Sequence, residues 1–420
     1  MKRLLILGGG TAGTIAANKL RRRLPRDDWS ITVVDKDDEH VYQPGLLFLP
    51  FGVYRPEELV KPRRNFLPRG VDLIVGYIDM VKASDNQVIL SDGRTLDYDY
   101  LLVATGTSPR PDQTPGMTSD EWRQSIFDFY TLDGATALRD KLANWAGGRL
   151  VVHVTETPIK CPVAPLEFAF TADAFFEQRG IRGKVDITYV TPLDGAFTRP
   201  TASKQLGGML HDRGIKIEPD FVIDRVDPEN KALISMDERV IPFDLLVTVP
   251  LNMGPEYLAR SGLGDELNYL PVDKATLQSK QYDNIFALGD GSDIPTSKAG
   301  SVAHFSADVL VENFLAHVSG RPMSRAFDGH ANCFIETGHD KGLLIDFDYA
   351  NEPLPGKYPL PFVGPFSLLD ESRVNHLGKL AFRWAYWNLL MHGRPLPLPS
   401  HQLGGPQKPR ADRLATPGRS

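Results

Sequence analysis

The feature that most constrains the fold is a glycine turn close to the start of the sequence. Residues 4–7 form a continuous apolar run, as expected of a strand that is buried on both faces of a parallel sheet. Gly8, Gly10 and Gly13 follow this strand in G-x-G-x-x-G spacing. In such a turn the first glycine allows the tight bend, the second lets the backbone approach a pyrophosphate, and the third lets helix and strand pack closely. The spacing therefore predicts a dinucleotide-binding turn.

The residues after the turn complete the same unit. Residues 14–24 predict a helix, whose N-terminus would present free N–H groups to phosphates, and residues 31–34 predict a second strand. Asp35 closes that strand 22 residues after Gly13, where a carboxylate binds a ribose hydroxyl, and Lys36 lies beside it. Because strand, turn, helix, strand and acid occur in this order, we expect a Rossmann-like domain with these residues at the cofactor.

Composition limits the functions to be considered. The chain has 420 residues and a formal net charge of −6, which fits a folded protein of two or three units and argues against a nucleic-acid binder. Only two cysteines occur, Cys161 and Cys333, so a disulfide scaffold is not expected. The first residues lack the apolar region of a signal peptide, and no apolar run approaches the roughly 20 residues of a spanning helix. We expect any membrane role to be monotopic. No Cys/His cluster has metal-ligand spacing, so no metal is predicted.

Two later segments each predict a strand that ends in a glycine motif, Ala104-Thr105-Gly106 in the first and Gly289-Asp290 in the second. Together with the first fingerprint, they resemble the motifs of flavoproteins that have two dinucleotide-binding domains. The resemblance covers roughly residues 1–350. It implies that FAD is the cofactor, that Asp290 binds its ribityl chain, and that the helix after Asp290 faces the flavin.

The same resemblance implies a second nucleotide-type domain between these two motifs, and residues 150–154 predict its first strand. An NAD(P)H-using relative would continue with another glycine turn, but residues 155–167 contain three prolines and no glycine. Side chains would block a pyrophosphate, and proline lacks an N–H donor. We expect this domain to keep the fold without the second cofactor, with Cys161 standing where the glycine turn would be.

The loop around Cys161 resembles the I-K-C-P-x-A-P-x-E segment of the sulfide:quinone oxidoreductases and the related flavocytochrome c sulfide dehydrogenases. Residues 42–48, the surroundings of Cys333 and residues 375–382 carry the same resemblance. The flavocytochrome branch attaches FAD through a cysteine in the first of these regions. This chain has Gln43 there and no cysteine, so FAD should be bound non-covalently, with Gln43 beside it.

The resemblance implies that Cys161 and Cys333 are a redox pair that oxidises sulfide and passes the electrons through FAD to a membrane quinone. Sulfide would attack the bridged pair by thiol exchange, with Cys161 taking the incoming sulfur and Cys333 nearer the flavin. Many family members have a further cysteine after the Ala-Thr-Gly strand, but residues 122–130 contain none. A mechanism that uses three cysteines is therefore not expected here.

Other side chains are candidates for supporting this chemistry. Glu167 follows Cys161 by six residues and suits a general acid or base, although a surface carboxylate on a helix would look the same in the sequence. Lys298 suits the stabilisation of negative charge at the flavin. Three residues are assigned to the quinone: Lys341, Phe334 and Phe362.

Residues 377–391 are too short to span a bilayer and too apolar for an ordinary surface helix. Their charges are confined to Lys379 and Arg383, while Trp384, Tyr386 and Trp387 suit a water–lipid boundary. We expect this segment to bind a membrane surface, from which a hydrophobic quinone can be reached. A buried helix or a dimer contact is the alternative.

Together these patterns predict an α/β fold with two tandem Rossmann-like domains and a C-terminal membrane-interacting region. The expected boundaries are 1–110 with 270–325 for the FAD-binding domain, 111–269 for the second Rossmann-like domain, 326–395 for the C-terminal region and 396–420 for a disordered tail rich in proline, glycine and basic residues.

The expected partners are sulfide, a membrane quinone and the surface of the cell membrane, with no nucleic acid and with homo-oligomerisation left open. Three alternative functions remain at this point. They are a type II NADH:quinone dehydrogenase, a flavocytochrome c-type sulfide dehydrogenase flavoprotein, and a flavin-binding regulator without turnover.

Overall fold

The first unit is a parallel five-stranded sheet that takes its strands from two distant parts of the chain. In a computed structural model, which describes residues 1–360 and 362–396, the strand order is Ile285–Ala287, Tyr100–Val103, Lys2–Leu7, Trp29–Asp35 and Asp72–Val75. The central strand has parallel neighbours on both sides, and its residues 4–7 are buried, as their apolar run predicts. The helices Thr11–Arg23 and Gly300–Val318 pack against each other beside this sheet.

The second unit is inserted before the last strand of the first and repeats its plan. Its five parallel strands lie in the order Ile126–Phe127, Leu245–Val249, Gly148–Val154, Val185–Val190 and Lys216–Glu218. Its helices are Leu132–Asn144, Ala164–Gln178 and Pro200–Asp212. The α/β class and the two Rossmann-type units expected from the sequence are therefore confirmed.

Smaller elements complete and connect these units. Each large sheet carries an antiparallel three-stranded sheet, formed by Ile78–Lys82, Gln87–Leu90 and Thr95–Asp97 in the first unit and by Ile223–Asp227, Ala232–Ser235 and Val240–Pro242 in the second. Two short strand pairs are Glu39–Val41 with Val60–Pro62, and Ser108–Pro109 with Asn252–Met253. The second pair lies where the chain passes into and out of the inserted unit, and the short helix Glu256–Arg260 follows it.

The C-terminal part consists of a small sheet and one long helix. The sheet contains the hairpin Ala331–Gly338 and Lys341–Phe347, extended by Phe366–Leu368 and Gly356–Tyr358. The helix Arg373–Asn388, which we call the C-terminal helix, packs on this hairpin. The predicted disordered tail lies outside the described residues, apart from its first residue.

The C-terminal helix is also anchored on the first unit. The Tyr386 hydroxyl hydrogen-bonds Thr11 Oγ1 and His40 Nε2, each at 2.7 Å, and the buried Trp387 stacks on Phe66 with 5.0 Å between ring centroids. Two of the three aromatic residues expected at a lipid boundary are therefore core residues, and that part of the sequence interpretation is wrong. Trp384, in contrast, is 63% exposed. Among the described residues, the structure has no helix with the length and apolar character needed to cross a bilayer.

Candidate active site

Two cysteines that are far apart in the sequence lie together at the N-terminus of the helix Gly300–Val318. The Cys161 backbone N–H donates to the Lys298 carbonyl at 2.7 Å, and the Ser301 side chain hydrogen-bonds Cys333. The two sulfurs interact electrostatically, and both cysteines are free thiols. Cys333 comes from the strand Ala331–Gly338 and is buried, whereas Cys161 is half-buried. A single helix end thus positions both thiols.

Cys161 adopts an unusual backbone conformation. Its φ is +44°, in the left-handed region that a non-glycine residue occupies at a cost of about 1–3 kcal/mol. The Cys161 carbonyl accepts hydrogen bonds from the Tyr130 hydroxyl at 3.1 Å and from the Ala164 N–H at 2.9 Å. These contacts hold the loop in this conformation just before the helix Ala164–Gln178 begins. Strain that the surroundings maintain at a reactive side chain is typical of a functional site.

The protein makes both thiols hard to ionise. Burial raises the pKa of the Cys333 thiol to about 12, and burial together with the charge of Glu167 raises the pKa of Cys161 well above its usual value. The Lys379 ammonium opposes both shifts. A thiolate formed at this site therefore depends on nearby positive charge, and Lys379 supplies it.

Glu167 is a buried carboxylate rather than the surface carboxylate that the sequence left open. It is 1% exposed, accepts the Glu336 N–H at 2.5 Å, and forms an ion pair with Lys379. Burial raises the pKa of Glu167, and the charge of Lys379 lowers it. Because this carboxylate contributes to the electrostatics of both cysteines, it lies close enough to influence proton transfer at the sulfurs.

Lys379 is the functional residue that the sequence interpretation placed in the wrong environment. Its expected position was the polar face of a membrane helix, but its ammonium points inward and donates to the Phe334 carbonyl at 3.0 Å as well as to Glu167. Gly378 allows this approach, because a Cβ there would lie 2.5 Å from the Phe366 ring and 3.2 Å from the Phe334 ring. A lysine after a glycine on an otherwise apolar helix was the only signal in the sequence.

The first glycine turn has the shape of a nucleotide cradle. A Cβ on Gly8, whose φ is +92°, would lie 2.5 Å from the Ala104 carbonyl oxygen, and one on Gly13 would lie 1.9 Å from the Gly8 carbonyl oxygen. Both glycines are therefore required for close backbone packing. Around a Cβ on Gly10, in contrast, no heavy atom of the described chain lies within 4 Å, so the space in front of this residue is open to a ligand.

Asp35 keeps one acceptor position available beside this cradle. It accepts the Gly9 N–H at 2.7 Å and the Lys36 N–H at 2.8 Å, and it pairs with Arg63 at 2.9 Å. A carboxylate has about four acceptor positions, so one remains for a hydroxyl. The Lys36 side chain points to solvent and contributes its backbone only. The buried Arg63 was missed in the sequence because it lies 28 residues beyond Asp35 in an irregular segment.

The two later glycine motifs lie close together near the N-terminus of the helix Thr11–Arg23. A Cβ on Gly289 would lie 2.9 Å from the Ala12 Cβ, and a Cβ on Gly291 would lie 3.1 Å from the Gly106 carbonyl oxygen. The Thr105 hydroxyl, beside Gly106, hydrogen-bonds the Tyr257 hydroxyl at 2.9 Å. Ala12 and Gly289, which are 277 positions apart, thereby line the same cleft.

Two buried lysines lie between this cleft and the cysteines. Lys298 Nζ donates to the Asp290 carbonyl at 2.8 Å and lies 3.9 Å from the centre of the Tyr269 ring; burial lowers its pKa to about 8, against the charge of Asp290. Lys160 Nζ donates to Gln43 Oε1 at 3.2 Å. Burial also lowers the pKa of Lys160, and the charge of Asp290 again opposes the shift. The sequence interpretation missed Lys160, although it directly precedes Cys161.

The residues assigned to the quinone do not form one cluster. Phe334 is half-buried, packs edge-on against Phe366 and lies next to Lys379 through its carbonyl. Phe362 is 96% exposed on the loop before Phe366. Lys341 lies four residues from Ile345, the residue paired with Cys333, so it is about 13 Å from the cysteine along the strand. Lys379, rather than Lys341, is the lysine beside Phe334.

Comparisons with known proteins agree with this arrangement. The family model described as pyridine nucleotide-disulphide oxidoreductase matches residues 2–307. The chain is 28% identical over 402 residues to the mitochondrial sulfide:quinone oxidoreductase of Dictyostelium discoideum, covering 93% of this chain and 86% of that protein. It is 25% identical over 397 residues to the mitochondrial sulfide:quinone oxidoreductase of Mus musculus, with the same coverage. The crystal structure of the sulfide:quinone oxidoreductase of Aquifex aeolicus shares the fold, with a TM-score of 0.78 at 21% identity over 94% of this chain and 92% of that one.

Proposed function

The chain belongs to the pyridine nucleotide-disulphide oxidoreductase family, and from this premise we propose that it is a sulfide:quinone oxidoreductase. It would oxidise sulfide at a Cys161/Cys333 pair and pass the electrons through FAD to a membrane quinone. The observation that carries the proposal is the meeting of these two cysteines beside the nucleotide cleft, with Cys161 in the loop that replaces the second glycine turn and Cys333 on the strand Ala331–Gly338.

The cleft fits FAD in its shape and its donors. Gly10 faces open space at the N-terminus of the helix Thr11–Arg23, where N–H groups would bind the pyrophosphate. Asp35 has an acceptor position for a ribose hydroxyl, and Asp290 would bind the ribityl chain. The bound FAD would supply two-electron acceptance from sulfur and transfer to a quinone. Because the only cysteines are Cys161 and Cys333, we propose non-covalent binding at Gln43.

The two cysteines, Lys379 and Glu167 would carry out the sulfur chemistry. Attack of HS⁻ on a Cys161–Cys333 disulfide breaks the S–S bond, places a persulfide on Cys161 and releases Cys333 as a thiolate. Closing the bridge over the added sulfur gives a trisulfide, one proton and two electrons, which leave through FAD to the quinone. The Lys379 ammonium would stabilise the thiolate, and Glu167 would accept or return the proton.

We place the quinone beside the C-terminal helix. Phe334 and Phe362 would contact its ring or tail, and the charge beside its oxygen would come from Lys379, with Lys341 further along the hairpin. Exposed apolar side chains support a peripheral, monotopic contact with a membrane: Leu360, Phe362 and Val363 of the loop, and Leu377 and Trp384 of the helix.

The test is anaerobic mixing of the purified FAD-loaded protein with sulfide, followed by flavin absorbance, and then addition of a short-chain quinone. We expect rapid bleaching by sulfide, slow bleaching by NADH or NADPH, and reoxidation by the quinone. Rapid bleaching by NADH without a response to sulfide would indicate a type II NADH dehydrogenase. Reoxidation by cytochrome c but not by quinone would indicate the flavocytochrome branch, and no reduction by either donor would indicate a flavin-binding regulator.

A further inference from the structure

A second buried carboxylate continues from the active site toward the surface. Glu336 lies on the same strand as Cys333, three residues further along, and its side chain is buried. Its Oε2 lies 2.8 Å from His376 Nδ1. His376 is in the first turn of the C-terminal helix, and its other ring nitrogen faces outward, 4.0 Å from the Oδ1 of Asp340, whose side chain is 82% exposed.

This pair is connected to the groups beside the cysteines. The Glu336 backbone N–H, rather than its carboxylate, donates to Glu167, and Lys379 forms an ion pair with Glu167. The link from Lys379 to the Glu336 carboxylate is the attraction between their charges. Glu167, Lys379, Glu336 and His376 therefore form a file of ionisable groups that begins at the sulfurs and ends at solvent. We call these four residues the relay.

A glycine on the hairpin lets the C-terminal helix pack closely beside the relay. Glu336 is paired across the hairpin with Gly342. A Cβ on Gly342 would lie 3.1 Å from both the backbone nitrogen of His376 and the Ile335 carbonyl oxygen. A larger residue would require the backbone of the helix or the strand to shift by a few tenths of an ångström. Gly342 thus allows the first turn of the C-terminal helix to pack closely on the hairpin, where His376 contacts Glu336.

We propose that His376 and Glu336 carry protons between the buried cysteine site and water. The proposal rests on the proposed function, because closing the sulfur bridge releases one proton beside the buried Cys333. The Lys379 ammonium gives one of its own protons to the Glu336 carboxylate and takes the released proton from Glu167 in its place. Glu336 then passes its proton to His376, which delivers it to solvent through its outward nitrogen. The charged groups that face His376 are Glu336 on the strand and Asp340 on the hairpin turn. His376 is thus a positioning and relay residue that does not touch the substrate.

The test compares His376→Ala with His339→Ala in the FAD-loaded, full-length protein. His339 is the matched control. It lies on the hairpin turn next to Asp340, but it faces Glu177 and Asp173 instead of Glu336. We expect sulfide-driven flavin reduction in His376→Ala to be slower by about tenfold or more, as for the loss of other proton-transfer groups. Added imidazole should restore much of that rate, whereas His339→Ala should react like the wild type and ignore imidazole.

A structural role for His376 predicts a different result. A slow His376→Ala variant with a lowered melting temperature and no response to imidazole would overturn the proposal, as would an unchanged rate. If His376→Ala fails to fold, Glu336→Gln provides the second measurement. It should keep the contact with His376 but slow flavin reduction and increase its solvent isotope effect, and an unchanged rate would overturn the proposal. If sulfide fails to reduce the wild-type flavin, the proposed function itself has failed.

Discussion

At the residue scale, we expect the two cysteines to act together, although only Cys161 has a strained backbone. Cys161→Ser and Cys333→Ser should each bind FAD like the wild type, since the glycine turns and Asp290 lie elsewhere. Each should lose nearly all flavin reduction by sulfide, because one sulfur cannot form the bridge that sulfide attacks. Flavin content and anaerobic bleaching measure the two properties separately. A variant that bleaches at the wild-type rate would show that its cysteine is structural.

Lys298 should make the reduction potential of the bound FAD depend on pH. Its pKa is lowered to about 8 by burial, so it carries a charge below that pH and loses it above. A nearby positive charge favours the reduced, more negative form of a cofactor. The midpoint potential should therefore fall more steeply above pH 8 than below, by up to about 30 mV per pH unit for a two-electron couple.

The matching variants separate this effect from a general change in charge. Lys298→Met should lose the additional slope and have a lower potential at neutral pH. Lys280→Met removes an exposed lysine that pairs with Asp293, and it should keep the wild-type profile. Spectroelectrochemical titration of the three proteins measures the difference. A range from about pH 6 to about pH 9.5 covers at least one pH unit on each side of the lowered pKa of Lys298. Identical slopes in all three would remove Lys298 from the flavin's surroundings.

At the scale of single elements, the glycine turn provides a matched pair of substitutions. Gly13→Ala should lower the melting temperature of the FAD-free protein by several degrees, because its Cβ would lie 1.9 Å from the Gly8 carbonyl oxygen. Gly10→Ala should leave that temperature unchanged and weaken FAD binding, because its Cβ would enter the open space of the cleft. Calorimetry and FAD titration check both expectations. Equal FAD affinity in Gly10→Ala and wild type would mean that the cofactor does not approach this turn.

Such turns could be interpreted from the sequence because their geometry is local. The spacing of Gly8, Gly10 and Gly13 restricts a few successive backbone angles, and the strand and helix around them follow from short apolar patterns. The surroundings of Glu167 depend instead on a strand that begins more than 160 residues later, since the donor to its carboxylate is the Glu336 N–H. A single sequence without tertiary contacts could not distinguish that burial from exposure.

The C-terminal helix shows the same limit for its orientation. Its apolar residues predict a helix with a buried side, but they do not say whether lipid or protein covers that side. Here Tyr386 and Trp387 are covered by the first unit, and Trp384 is not. The inward position of Lys379 depends on the rotation of the helix, which the close contact of Gly378 with Phe366 sets. The local sequence pattern of the helix does not predict either contact.

At the scale of the whole molecule, membrane contact should depend on the exposed side of this helix together with the exposed loop before it. Leu377 and Trp384 are 60% and 63% exposed. The double variant Leu377→Ser and Trp384→Ser should fold and bind FAD normally. Burial of each such side chain contributes about 1.5–3 kcal/mol, so its affinity for anionic lipid vesicles should fall by about tenfold or more.

The control removes equally exposed apolar side chains from another surface. Val222→Ser with Met236→Ser alters the small sheet of the second unit and should leave vesicle binding unchanged. Turnover with a long-tailed quinone should fall in the first double variant more than turnover with a short analogue, because only the former partitions into the bilayer. Equal vesicle binding by all proteins in a sedimentation assay would contradict a membrane role for this face.

The hydrogen bond between Thr11 and Tyr386 joins residues 375 positions apart, and it has a consequence for how the protein is made. On a ribosome that adds 5–20 residues per second, the N-terminal turn emerges roughly 20–75 s before the tyrosine that closes over it. The last strand of the first sheet, Ile285–Ala287, also emerges only after the whole inserted unit. The first sheet and the N-terminal turn therefore remain incomplete and exposed until synthesis is nearly finished. We therefore expect the cofactor to bind late in synthesis, and a chain truncated before the C-terminal helix would lack the Tyr386 contact with Thr11.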